Sequence, residues 1–227
     1  MINRYINQLR GALSERSTAP LPNLTWIILI VVGGTIAYIG LAILAVPSGE
    51  PREFQFVSEN GAVTALSALF LTTAAAFSLA SMVTLWRAGA SHTWVWLLMA
   101  VGFAFLSFDE LLQFHERVGE LLDQTSSSGK FRHWNDIIVI LYGVIALPIL
   151  FIILPGLMQW RLVMEMFAIA FLFYGLHTLV DSISVQPTSA SIIVEESAKL
   201  LCGAFLAIAM FIGFIGVVWK HTTAPEH

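Results

Sequence analysis

The chain has 227 residues, 57% hydrophobic and 11% charged, with a formal net charge of -4. Soluble domains carry roughly 25% charged residues, so this balance, with a mean hydropathy of +0.80, excludes an ordinary water-soluble fold. The net charge offers no basic surface for nucleic acid, and the single cysteine, Cys202, excludes an intramolecular disulfide and a cysteine-rich metal motif.

At the start, Ile2, Tyr5, Ile6, Leu9 and Leu13 fall at helical spacing with Arg4, Arg10 and Arg16 between them. This predicts an amphipathic helix over 1–18, lying on the cytoplasmic membrane surface. It is not a signal peptide, because no apolar core or small-residue cleavage site follows directly. A transmembrane domain then covers 19–221, and 222–227 form a short cytoplasmic tail. Within the domain, apolar runs cover roughly 24–46, 62–86, 93–114, 137–159, 162–183 and 191–219. Each is about the 20 residues that a helix needs to cross the hydrocarbon core. None alternates polar with apolar residues as barrel strands do. The expected fold class is therefore all-α, a polytopic membrane protein built as a bundle of six transmembrane helices.

Details along the runs support these limits. Trp26, Trp86, Trp94, Trp96, Trp134, Trp160 and Trp219 fall near predicted span ends, where an amphipathic ring is comfortable. Pro148 and Pro155 should kink or end the fourth span. Gly33, Gly34 and Gly40 in the first span, and the alanines of the second, suit close helix packing. Arg4, Arg10, Arg16, Arg87, Arg161 and Lys220 lie on one side, against Arg52, Arg117, Lys130 and Arg132 on the other. That bias places both termini in the cytoplasm of a multi-pass inner (plasma) membrane protein.

Three spans then bring ionisable residues to the same, extracytoplasmic side. They are Asp109, Glu110, His115 and Glu116; His177 and Asp181; and Glu195, Glu196 and Lys199. Charge beside lipid is costly, so such residues are functional candidates by default. Asp109, Gln113, Glu116 and Glu120 form one stripe if the third span continues as a helix, with His115 pointing elsewhere. Glu116, Arg117 and Glu120 also fit a helix simply leaving the membrane. His177 and Asp181 sit one turn apart with Tyr174 on the same face, as two metal ligands or as a histidine with an orienting carboxylate. Lys199 can pair with Glu195 at i+4 or Glu196 at i+3, which leaves one acid for chemistry. His133 and Asp136 stand at the outer start of the fourth span, within reach of the group.

Oxygen and imidazole donors without thiolate suit a divalent metal such as zinc, iron or manganese. On that reading Asp109, Glu110, His115, His177, Asp181 and Glu196 are the candidate ligands. Glu116, Glu195, Glu196 and Lys199 are the candidate catalytic residues, as base or charge stabiliser. The expected activity is then a membrane hydrolase acting on a lipid or membrane peptide, with membrane lipids and a membrane-protein partner or second copy as neighbours. Two alternatives stand beside it: a proton- or ion-translocating protein, and a non-enzymatic membrane subunit or assembly factor whose buried charges fix the helices.

Glu195-Glu196-Ser-Ala-Lys199 resembles the EExxK motif of PrsW-type membrane proteases, relatives of the CAAX-processing proteases, and His177 through Asp181 resembles their HxxxD pattern. The resemblance implies a glutamate-activated water, with Glu195 or Glu196 as base and His177 as its partner. The order of the two motifs is reversed here, and the nearest match to the intervening FxxxE motif is Phe105-Leu-Ser-Phe-Asp109. Leu106-Ser-Phe-Asp-Glu110 through His115-Glu116 resembles a signature of uncharacterised bacterial multi-spanning membrane proteins. The Asp109-Glu110 pair within a span also resembles the alkaline ceramidase superfamily, without that superfamily's paired histidines in the last helix.

Overall fold

The computed structural model describes residues 6, 10–11, 22–57, 61–90, 93–125, 134–183 and 188–222. Among them the elements are α1 (Thr25–Leu44), α2 (Phe54–Val57), α3 (Ala62–Arg87), α4 (Thr93–Leu112), α5 (Phe114–Thr125), α6 (Trp134–Met158), α7 (Arg161–Ile183) and α8 (Ser189–Thr222). The expected helix over 1–18 and the tail over 222–227 lie almost wholly outside the described residues.

The protein is an all-helical, polytopic membrane protein. Five described helices, α1, α3, α4, α7 and α8, are long and apolar enough to cross a membrane. A lipid-embedded chain must satisfy its backbone polar groups internally, and uninterrupted helices do so. The fourth expected span departs from this pattern. α6 runs for 25 residues with Pro148 and Pro155 inside it, so neither proline ends it, yet its described apolar stretch, Val144–Met158, is shorter than a crossing.

The 34-residue α8 is the central element, with α3 and α7 packed along it and α4 packed on α3. Trp96, Leu157, Val163, Met210 and Ile212 are essentially fully buried in the core these helices share. Glycine makes part of that packing possible. A Cβ on Gly213 would lie 2.5 Å from the Trp96 ring, and one on Gly216 would lie 2.7 Å from the Trp160 ring. Thus two indoles seat themselves in notches on α8, and Trp96 and Trp160 belong to the core rather than to the interface expected of them. Conversely, a Cβ on Gly33, Gly34 or Gly40 would meet nothing within 4 Å. The close-packing expectation for those three glycines fails within this chain, since α1 touches the bundle only lightly.

A smaller core of Ala42, Phe56, Val63 and Leu200 joins α1, α2, α3 and α8 toward the other end. The Tyr38 hydroxyl donates to the Ala62 carbonyl there at 2.6 Å, so a partly buried hydroxyl of α1 is satisfied by the first residue of α3. This second core sets the height of α8 at the charged end.

Candidate functional site

The start of α8 is built by a reciprocal cap. Thr188 N–H donates to Ser191 Oγ at 2.8 Å, and Ser191 N–H donates to Thr188 Oγ1 at 3.2 Å. Two backbone donors that a helix start leaves without partners are satisfied in this way. The helix is therefore already regular at Glu195 and Glu196, which point about 100° apart, and at Lys199 one turn beyond them.

Lys199 Nζ lies 2.8 Å from Glu196 Oε2 and 3.1 Å from Glu110 Oε1. One ammonium is thus shared by a carboxylate of its own helix and one from α4. Glu195 takes no part in that triad. It faces α7 instead, where its Oε1 is 3.8 Å from His177 Nδ1. That separation is too long for a direct hydrogen bond and of a length that a bridging water or donor fills. Three helices distant along the chain therefore contribute charge to one end of the bundle. All five side chains are partly exposed, Lys199 most at 29% and Glu110 and Glu196 least at 15%.

Asp109 is elsewhere engaged. The third expected span does not continue as one helix, because Gln113 adopts a left-handed φ of 53° and ends α4 at Leu112. The chain turns there, and the expected stripe of Asp109, Gln113, Glu116 and Glu120 is broken. His115 comes back over Asp109 rather than pointing away. Its backbone N–H donates to Asp109 Oδ1 at 3.1 Å, and its Nδ1 lies 2.8 Å from Oδ2. Asp109, a residue only 6% exposed, thereby caps the first turn of α5 from outside it with its carboxylate. Tyr142 of α6 donates to the same carboxylate at 3.5 Å and packs edge-on against Phe105.

The six expected metal ligands are consequently divided. Asp109 and His115 form one pair, Glu110 and Glu196 hold Lys199, His177 stands beside Glu195, and Asp181 is exposed on α7. Among the described residues, no group of three or more His, Cys, Asp or Glu side chains is arranged to hold a metal ion. His133, and the side chains of Glu116, Glu120 and Asp136, lie outside the described residues.

Polar groups away from the cluster are mostly taken up within their own helices. Along α3, Thr73, Ser78, Ser81 and Thr84 donate to the carbonyls of Leu69, Ala74, Phe77 and Ala80 at 2.7–2.9 Å. Thr72 pairs with Ser107 of α4 at 2.7 Å, and Glu165 is held by Arg161 at 2.6 Å. These are the residues that an ion path to the far face would have to use.

Two partners were hidden from the sequence reading. The first is Glu110 for Lys199, a contact across helices that helical spacing does not report. The second is Tyr142 for Asp109, where the signal was available: a lone hydroxyl within an otherwise apolar run.

Fold and site together define a multi-pass helical membrane protein with an ion network at one end of its bundle. The chain belongs to the family described as a domain of unknown function (DUF8692), which matches residues 19–212. No curated protein and no solved structure matches it.

Proposed function

We propose that this is a non-enzymatic membrane protein, a subunit or assembly factor, whose Glu110–Lys199–Glu196 triad is a structural ion network locking α4 to α8. The observation that carries this reading is the double pairing of Lys199 at 2.8 and 3.1 Å. An ammonium held by two carboxylates has little left to offer a developing oxyanion. The outward glycines of α1, unpacked within the chain, support a surface for a membrane-protein partner or a second copy. We place the protein in the inner membrane with both termini cytoplasmic and α6 as a sixth crossing, following the distribution of Arg and Lys. The hydrolase reading comes second. It retains the Glu195–His177 gap of 3.8 Å as a place for an activated water.

The two readings part under mutation. Removing one member of a buried ion network leaves the others uncompensated, whereas replacing all of them by neutral groups is often nearly neutral. Lys199→Met should therefore lower unfolding stability strongly, and Glu110→Gln/Glu196→Gln/Lys199→Met should recover most of the loss. A Lys199→Met protein as stable as the parent would overturn the structural reading.

A further inference from the structure

Between α6 and α7 lies an open, almost wholly apolar groove of about 170 Å³, lined by Leu150, Leu154 and Leu157 on one side and Met164, Phe167 and Phe171 on the other. A closed apolar cavity of about 150 Å³ already admits a benzene ring, so the groove has room for a segment of hydrocarbon chain. From Phe171 a line of rings leads to the charged end. The Phe171 and Tyr174 centroids are 6.4 Å apart, and those of Tyr174 and His177 are 6.3 Å apart.

The spacing suits one leaflet. Phe167 and His177 are ten residues apart on α7, about 15 Å of helix, which is half of the roughly 30 Å hydrocarbon core. A lipid with its chain beside Phe167 and Phe171 has its headgroup at the level of His177. There it meets Glu195 Oε1 and His177 Nδ1, 3.8 Å apart, and the imidazole nitrogen has no hydrogen-bond partner among the described residues. In the neutral tautomer that carries its proton on Nε2, Nδ1 is an acceptor beside the carboxylate, and a group carrying several N–H donors can bridge the two. Charge points the same way. Glu110, Glu195 and Glu196 set three carboxylates against the one ammonium of Lys199, so the end of the bundle favours a cation.

We propose that the α6–α7 groove and the His177–Glu195 pair together bind one phospholipid whose headgroup ends in a primary ammonium. Its chain lies along Phe171 and Phe167, and its ammonium donates to Glu195 and His177. Neither residue belongs to the Lys199 triad, so this site stands whether or not that triad is purely structural.

The test uses the full-length protein, purified and delipidated in detergent. It is titrated with phosphatidylethanolamine, phosphatidylcholine and phosphatidylglycerol of identical chains, with binding read by native mass spectrometry and by the melting temperature. Phosphatidylethanolamine should bind about tenfold tighter than the other two, the value of one charge-assisted hydrogen bond. Phosphatidylcholine is the informative control, since its quaternary ammonium carries charge but no N–H. Glu195→Gln should remove the preference. Ala168 also lines the groove, so Ala168→Trp should block it and weaken binding of all three lipids, and free ethanolamine should leave the melting temperature unchanged. Equal affinity for the three headgroups, a preference that survives Glu195→Gln, or a free-ethanolamine shift equal to that of the lipid would each overturn the proposal. Should Glu195→Gln not fold, Ala168→Trp decides alone, and undiminished binding there overturns the proposal.

Discussion

The two ends of α8 solve opposite problems. At Gly213 and Gly216 the helix presents no side chain, and the Trp96 and Trp160 rings fill the space. Those indoles are 2% and 4% exposed, so that end is dry and tightly packed. Around Glu195, Glu196 and Lys199 the same helix carries three charges, leaves a 3.8 Å gap to His177 and stays partly open. The packed end determines where the helices stand, and the charged end can then keep groups that packing alone would reject. Rigidity and chemistry are separated along one helix.

The sharpest way to break this contrast is at the charged end. Lys199→Met should cost about 3 kcal/mol of stability, the lower part of the range for a broken buried pair, because the side chain is partly exposed. Chemical denaturation in micelles measures it, and a loss no larger than at an exposed site would mean that the triad carries no weight. Asp109→Asn should be next, at about 2 kcal/mol, since it weakens the charge-assisted bonds to the His115 backbone and ring together. Hydrogen exchange should then show the first turn of α5 opening while α4 stays protected. A protected α5 would show that the Gln113 turn holds itself.

At the glycines of α8 the expected effect is smaller but changes sign with position. Alanine is favoured over glycine in a helix interior by about 1 kcal/mol. At Gly203 the added Cβ meets Phe70 at 3.5 Å, an ordinary contact, so Gly203→Ala should stabilise. At Gly213 it meets Trp96 at 2.5 Å, and overpacking costs of about 1–3 kcal/mol outweigh the gain, so Gly213→Ala should destabilise by about 1 kcal/mol. Equal melting-temperature shifts for the two variants would show that the indole moves aside freely.

These features differ in how far the sequence exposes them. The expected run 62–86 lies over α3 (Ala62–Arg87) and 162–183 over α7 (Arg161–Ile183), because hydropathy reports a helix that lipid surrounds. The run 93–114 overshoots Leu112, since a left-handed Gln113 is a single-residue event with no periodic signature. His115 was misplaced for that reason alone. The sharing of Lys199 by Glu110 and Glu196 was half legible: i+3 spacing reveals the partner on the same helix, while the one on α4 depends on how two helices meet. The glycines show the same limit. Gly33 and Gly213 look alike in sequence, and only the neighbour distinguishes an open position from a notch.

The smallest expected effect lies at Glu53, just before α2 and outside the membrane-spanning segments. A hydrogen bond from the Ser189 side chain, helped by the backbone of Glu53 itself, holds the Glu53 carboxyl below its ordinary 4.5. A carboxylate with a lowered folded-state pKa adds stability that is fully present above its unfolded value and lost as pH falls through the folded one. Wild type should therefore exceed Ser189→Ala in melting temperature at pH 6, and the gap should close as the pH is taken below about 4.5. A gap that stays constant from pH 6 to pH 3 would assign the difference to the neutral helix start at Ser189 rather than to the Glu53 carboxylate.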